Sequence, residues 1–356
     1  MKRRIIPIFV PHRGCPHDCI FCNQKKITGV STDVTAQNVR NIINEYLTTI
    51  DENAHIEVGF FGGSFTAIDI NVQKELLSVA KEYVDKGIVK DIRLSTRPDC
   101  IDDDILKILK ENKVTIIELG VQSLDIDVLN QSIRGHSDID VISSSKLIKK
   151  WGFKLGLQMM AGLPGDTEEK CIYTAKEFVK LNPEFVRIYP TLVVRDTGLE
   201  KLYNENKYNP FDIEKTIEIV KKLLVLFYIN NINVIRVGLQ PTEDISLGKE
   251  IVSGPYHPAL REIVESRIYR DYIEWTINQN NIKEEMIICT NRKNISTIVG
   301  NKKANSKYIY EKYKVKIKVE DTDMSKDEIK VVYNNTSQNI SLKNIYKNLY
   351  YMYNLN

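Results

Sequence analysis

Short apolar runs recur along most of the chain, each closed by glycine or polar residues and each followed by a stretch with helical spacing. The runs are Ile5–Val10, Ile56–Phe61, Ile88–Leu94, Val114–Val121, Phe153–Met160 and Phe185–Ile188, with a further short run at Val234–Val237. Between them lie the helical stretches Thr35–Ile50, Asn71–Lys86, Asp102–Asn112, Val141–Lys150, Thr167–Leu181 and Ile213–Tyr228. Strands that alternate with helices in this way predict βα units and a parallel sheet. Right-handed crossovers then bring every strand's C-terminal end to one edge, and in barrel-like βα folds that edge carries the active site. The unusual residues of this chain fall at those ends: a cysteine cluster, Gly62-Gly63-Ser64, Ser95-Thr96-Arg97, Gln122, Gly162 to Gly165, and Tyr189.

The cysteine cluster follows the first run directly. Cys15, Cys19 and Cys22 are spaced C-x3-C-x2-C, in a stretch where Gly14 and Pro16 favour a tight loop. Three thiolates on one loop leave a fourth metal position without a local protein donor. That arrangement suits a [4Fe-4S] cluster with one open iron. Zinc completed by His12 or His17 is the alternative that the spacing leaves open. Cys100, Cys171 and Cys289 stand singly, so the cysteines are no disulfide framework and suit a reducing compartment.

Composition excludes little else. A formal net charge of +3 over 356 residues announces no nucleic-acid partner by itself. The basic N-terminus precedes an apolar stretch too short for a signal peptide and broken by Pro7, and no later segment reads as a membrane span. The expectation is a cytoplasmic protein. Two adjacent glycines at 62 and 63 let backbone approach a ligand closely. Arg134 is placed to pair with a carboxylate through both arms of its fork. Arg187, Tyr189, Arg236 and Gln240, from the last strand ends, are the candidates for the substrate side.

Further stretches carry a resemblance: Phe61-Gly62-Gly63-Ser64-Phe65-Thr66, Ser95-Thr96-Arg97-Pro98-Asp99, Glu118-Leu119-Gly120-Val121-Gln122-Ser123, Arg187-Ile188-Tyr189-Pro190-Thr191 and Gly254-Pro255-Tyr256-His257-Pro258. With the cysteine loop, they occur in the order found in the radical S-adenosylmethionine (SAM) superfamily. Over residues 5–267 the chain resembles most the radical-SAM domain of Elongator's catalytic subunit and its bacterial and archaeal relatives, and more distantly oxygen-independent coproporphyrinogen oxidase. It departs from the Elongator type in the shorter gap between its first two cysteines. The resemblance implies an α/β fold, a partial (β/α)6 barrel. It implies a [4Fe-4S] cluster on Cys15, Cys19 and Cys22, whose open iron chelates the amino and carboxylate groups of SAM. It assigns Gly62, Gly63 and Ser64 to the SAM amino group, although many relatives carry Glu where Ser64 stands. It assigns Gln122 and Arg134 to SAM, Arg134 taking the methionine carboxylate. Gln158 stands where relatives often place a ribose-binding acid, and Ser95 where many have a SAM-contacting Glu. Phe21, beside Cys22, matches an aromatic that shields adenine, and Leu163-Pro164-Gly165 is either a second surface against adenine or a plain turn. The implied chemistry is reductive cleavage of SAM to methionine and a 5′-deoxyadenosyl radical, fed by a flavodoxin- or ferredoxin-type electron donor, with no membrane partner.

Two units are expected, 1–269 as the radical-SAM core with its extension and 270–356 as a small basic α/β domain. The latter reads as a strand at Met286–Cys289, a largely helical Ile295–Tyr313, strands at Val315–Lys318 and Glu328–Tyr333, and a docking helix over Leu342–Tyr353. Between Lys283 and Lys318 ten basic residues face three acidic ones, a balance that can grip phosphates without regard to sequence. Elongator-type proteins carry an acetyltransferase domain after the radical-SAM domain. Residues 270–356 are few for one and show no acetyl-CoA phosphate loop, so radical chemistry without acetyl-CoA is expected, with tRNA as the candidate substrate. The other readings are a radical-SAM enzyme of a small metabolite and a non-catalytic, metal-containing nucleic-acid-binding module.

Overall fold

The computed structural model describes residues 3–10, 19–23, 34–51, 53–239 and 247–356. In chain order these form β1 (Arg3–Val10), α1 (Ala36–Leu47), β2 (His55–Gly62), α2 (Ile70–Asp85), β3 (Asp91–Thr96), α3 (Asp103–Glu111), β4 (Val114–Gln122), α4 (Ile126–Gln131), α5 (Asp138–Lys150), β5 (Lys154–Ala161), α6 (Glu168–Leu181), β6 (Phe185–Pro190), β7 (Val193–Val194), α7 (Gly198–Asn204), α8 (Ile213–Ile229), β8 (Asn233–Val237), β9 (Ile251–Ser253) and α9 (Leu260–Asn280). After α9 come β10 (Glu285–Thr290), α10 (Arg292–Val299), α11 (Ala304–Tyr313), β11 (Lys316–Asp321), β12 (Glu328–Tyr333), β13 (Thr336–Ser341) and α12 (Leu342–Met352).

Seven strands pair in the order β1-β2-β3-β4-β5-β6-β8, every pair parallel. The seventh, β8, widens the half-barrel beyond the six strands that the resemblance implied, aligning Arg236 with Arg187 of β6. Helix starts follow from short polar side chains: Asp69, Asp102, Asp125, Ser137, Thr167 and Asp212 each accept a bond from a first-turn amide of the helix that follows. The outward side chains of the sheet, among them Ile92, Leu94, Ile117, Leu119, Leu157 and Ile188, are fully buried against helix residues such as Leu76, Leu77, Leu106, Ile148 and Phe178.

A second sheet, β11-β10-β12-β13, lies after α9. Its β12–β13 hairpin turns at Asn334 and Asn335, both at positive φ (45° and 58°), the geometry a two-residue hairpin loop demands and asparagine tolerates. The helix expected over Ile295–Tyr313 is broken at Gly300–Lys303, where Gly300, Lys302 and Lys303 all take positive φ. Helix α9 runs unbroken past Tyr269, with Leu260, Val264, Ile268, Tyr272, Ile273, Thr276 and Ile277 buried. The core is continuous across it, joining Val186 and Leu224 to Met286, Ile288, Val331 and Leu349.

The concave face of the large sheet is fitted around glycines. A Cβ on Gly156 of β5 would lie 2.4 Å from the Phe185 ring and 3.1 Å from Cγ of Glu118. The Arg93 guanidinium covers one face of that ring, 4.9 Å from its centroid, and limits its retreat. Gly156→Ala is therefore expected to destabilise the fold by about 1–3 kcal/mol, the range for overpacking, in chemical denaturation; an unchanged midpoint would contradict this packing.

Candidate active site

The concave face carries charge where a closed core would carry hydrocarbon. Glu57, Arg93 and Glu118 are each under 5% exposed. Arg93 reaches Glu57 at 2.9 Å and Glu118 at 2.8 Å, and Glu118 in turn holds Arg187 at 2.7 Å. Arg187 also lies over the Phe61 ring, 5.4 Å from its centroid, and donates to the Tyr189 hydroxyl at 3.4 Å. One step towards the C-terminal edge, the Gln158 amide donates to Ser95 at 3.4 Å.

At the edge itself the turn of residues 19–22 is pinned by three backbone bonds. Cys22 N donates to Cys19 O (2.9 Å), Ile20 N to Ser132 O at the end of α4 (3.1 Å), and Leu199 N at the start of α7 to Ile20 O (2.7 Å). Cys19 is 6% exposed and Cys22 half-buried. Two guanidinium groups converge on the Cys19 sulfur. Arg134 Nη1 is 3.1 Å from Sγ, and Nη2 donates to the Gly120 carbonyl. Arg97 Nη1 is 3.8 Å from the same sulfur.

Arg134 gets there through a strained helix end. Ile133 takes φ 51°, a left-handed conformation costly for a β-branched residue, while Arg134 N donates to Leu129 O at 3.0 Å. Gln122, closing β4 at φ 75°, is the second strained position. Its Oε1 and Arg134 Nε are buried without hydrogen-bond partners among the described residues, beside the buried ring of His136. Buried polar atoms are normally satisfied, so these two stand out among the described residues of the edge.

The other expected residues are distributed as follows. Gly63 N donates to Val10 O at 3.2 Å, and Gly62 takes φ 110°. Ser64 is committed to the scaffold: its hydroxyl lies 2.9 Å from Thr96 Oγ1 and accepts from Arg97 N at 3.1 Å. Phe21 packs with Val193, Leu199 and Tyr208 in a small satellite cluster. Leu163 is buried in a loop held by Asp166, which accepts from Gly162 N at 2.8 Å. Arg236 is half-buried beside Arg187. Cys15, His12, His17 and Gln240 lie outside the described residues. Cys171 donates its thiol to Asp166 at 3.1 Å, and burial pushes its pKa well up, which keeps it inert.

Sequence reasoning placed Arg97 at the active-site edge without a role, and missed Arg93, His136 and the charge chain. The signal was present: Glu57, Arg93 and Glu118 each interrupt an otherwise apolar strand, and Arg93, Ser95 and Arg97 repeat at the two-residue period of one strand face. Among the described residues, His55, Glu57 and Asp91 form the group of metal-ligating types that converges. It sits at the opposite, N-terminal end of the strands, with its carboxylates paired to Arg93 (2.9 Å), Lys154 (3.7 Å) and Arg3 (3.8 Å). A divalent cation there would have to displace those partners.

An open parallel α/β half-barrel with a cysteine turn under buried guanidinium groups at its C-terminal edge defines a class, and comparison with known proteins agrees. Residues 9–178 match the model of the Radical SAM superfamily, and residues 183–270 match that of the Radical SAM C-terminal domain. The chain belongs to the radical SAM superfamily. It is 29% identical over 261 residues to the tRNA uridine(34) acetyltransferase of Methanocaldococcus infernus, covering 61% of this chain and 48% of that protein. It is 32% identical over 221 residues to an uncharacterized protein of Methanocaldococcus jannaschii, covering 58% of this chain and 67% of that one. The solved structure of archaeal Methanocaldococcus infernus Elp3, with an N-terminal deletion, superposes on 97% of this chain and 76% of its own, with a TM-score of 0.58 at 19% identity; it shares the fold. The chain spans about half the length of the tRNA uridine(34) acetyltransferases it matches. No helix among the described residues is long and apolar enough to cross a membrane.

Burial, then the neighbouring Arg134 and Arg97, push the His136 pKa down to about 3. Protonation then favours the unfolded chain between the ordinary histidine value, about 6.5, and pH 3. Stability that is complete above pH 6.5 is expected to fall on acidification by up to about 1.4 kcal/mol per pH unit from this group. His136→Gln should flatten that part of the stability–pH curve, measured by denaturation at pH 5 and pH 7. Parallel curves for both proteins would show His136 to be accessible to protons in the folded state.

Proposed function

We propose that the chain assembles a [4Fe-4S] cluster on Cys15, Cys19 and Cys22 and uses it to cleave SAM reductively in the modification of tRNA. The observation that carries the reading is the Cys19 sulfur held beneath two buried guanidinium groups, with unsatisfied polar atoms of Gln122 and Arg134 beside it. A thiolate-ligated cluster is anionic, and the donor set fits it: soft sulfur ligands inside a positively charged shell. When bound, the cluster supplies the electron that splits SAM into methionine and a 5′-deoxyadenosyl radical. The chain's own residues bind and orient. Arg134, with Nη1 at Cys19 and Nη2 at the Gly120 carbonyl, keeps Nε for the methionine carboxylate, and Gln122 and the Gly62-Gly63 backbone are suited to the remaining polar groups of SAM. Ser95 and Gln158 are suited to the ribose and Phe21 to adenine, whereas Leu163, 2% exposed, has no free surface to offer the base and can only back it. Arg187, clamped by Glu118, fixes Tyr189 towards the substrate, with Arg236 beside it. The electron comes from a flavodoxin- or ferredoxin-type donor.

Anaerobic reconstitution tests the cluster assignment. Cys15→Ala, Cys19→Ala and Cys22→Ala should each lose most of the iron and all SAM cleavage, whereas Cys100→Ala, Cys171→Ala and Cys289→Ala retain both. A colourless zinc protein, or full SAM cleavage by Cys19→Ala, would overturn the reading.

For tRNA, support comes from the names of the relatives and from the unit formed by residues 270–356. Lys312 is tied to Glu274 and Lys318 to Glu285. Arg292, Lys293, Lys302, Lys303 and Lys307 stand exposed on α10, α11 and the turn between them. Such a face meets phosphates. Lys302→Glu combined with Lys303→Glu should weaken tRNA binding and lower the salt slope by about 2, one for each phosphate no longer neutralised, while SAM cleavage persists. A wild-type chain that binds no tRNA at low salt would shift the substrate to a small metabolite.

A further inference from the structure

Resting on the cluster reading above, we infer that Arg97 is a positioning residue for the Cys19 ligand and raises the reduction potential of the cluster. The Arg97 side chain ties together Asp99, the Arg134 backbone and Cys19. Arg97 is 2% exposed. Nε and Nη2 each donate to a carboxylate oxygen of Asp99 at 2.9 Å, a fork-on-fork pair. Nη2 also donates to the backbone carbonyl of Arg134 at 2.7 Å. Its own amide donates to Ser64 Oγ at 3.1 Å. The Asp99 pair and the Arg134 carbonyl fix the plane of the group, and Nη1 lies 3.8 Å from the Cys19 sulfur.

Asp99 balances the formal charge of Arg97, but the two ends of the pair are not equivalent. The carboxylate side chain keeps 20% of its surface, while that of the guanidinium keeps 3%, so the negative end is the better screened by water. The sulfur faces the positive end. The same anchors hold the carbonyl of Arg134, whose Nη1 is the second donor to that sulfur. Arg97 thus acts twice, through its own N–H and by holding the strained segment that presents Arg134.

Reduction adds one electron to the cluster and no proton, so the reduced form carries one more negative charge. Donors and positive charge directed at a ligand sulfur favour that form, and outer-shell partners of this kind tune the potential of iron–sulfur centres. Removing the Arg97 guanidinium should then make the cluster harder to reduce without removing a ligand.

The test is an anaerobic redox titration of the reconstituted chain without SAM, followed by the electron paramagnetic resonance signal of the reduced cluster, with iron content measured in parallel. Arg97→Gln removes the charge; Arg97→Lys keeps charge and loses the fork. The expected result is a lower midpoint potential in Arg97→Gln by at least a tenfold change in the reduction equilibrium, about 59 mV for one electron, with Arg97→Lys between it and wild type. A role confined to supporting the fold would leave the potential unmoved. Equal potentials for wild type and Arg97→Gln at equal iron content overturn the inference. If Arg97→Gln takes up no iron, Arg97→Lys carries the test, and a wild-type potential in that variant overturns it. A wild-type chain that assembles no cluster overturns the reading beneath the inference instead.

Discussion

A parallel sheet that curves must fill its concave side, and here the filling is ionic. Glu57, Arg93, Glu118 and Arg187 run across β2, β3, β4 and β6 as alternating charges, each paired with its neighbours. Such a chain adds little net stability, because desolvation offsets the attraction; loss of one member is severe, since it strands a buried charge. Its effect is to fix geometry. Glycines at 59 and 156 clear the room for the Phe61 and Phe185 rings that cover the arginines. The charges, the rings and the glycines are one device spread over five strands, and the residues nearer the mouth rest on it.

The cysteine turn depends on that device at one remove. Strand β3 carries Arg93 in the interior and Arg97 just past its end, so the register that seats Arg93 between two carboxylates also sets Arg97 against Cys19. On the other side the turn leans on Ser132, next to the left-handed Ile133. A strained backbone persists where its surroundings over-determine it, and such positions gather at functional sites. Ile133 is 55% exposed, so its side chain contributes little packing to offset the strain. What the conformation achieves is delivery of Arg134 to the sulfur.

Much of the half-barrel is legible in the sequence because buried parallel strands read as continuous apolar runs and the helices between them carry clear caps. The Ser64 turn can be placed at the right edge from sequence, yet nothing local shows its hydroxyl to be occupied by Thr96 and Arg97, because those partners are distant along the chain. Strand β13, Thr-Ser-Gln-Asn-Ile-Ser, escapes such reading because it is an exposed edge with almost no apolar alternation. Helix α9 reads as a boundary near Tyr269 because charged and aromatic residues surround its apolar positions. Its buried residues nevertheless repeat every three or four places from Leu260 to Ile277. Arg97 belongs to a legible motif but suggests no task there, since a lone arginine in a sequence is usually a surface residue; only the fold shows it buried.

The proposed division of labour follows from the two kinds of positive charge. The guanidinium groups around Cys19 are buried, fixed by several bonds each, and weakly screened by salt, as suits the tuning of one electron transfer at one place. The lysines of α10, α11 and their connecting turn are exposed and fully screened, as suits reversible attraction of a polyanion. Under the proposed function, salt should separate the two roles: raising ionic strength weakens capture of RNA long before it disturbs the chemistry beneath the guanidinium pair. Helix α9 joins the two regions through one continuous core, so the connection between them is packed and not a loose linker.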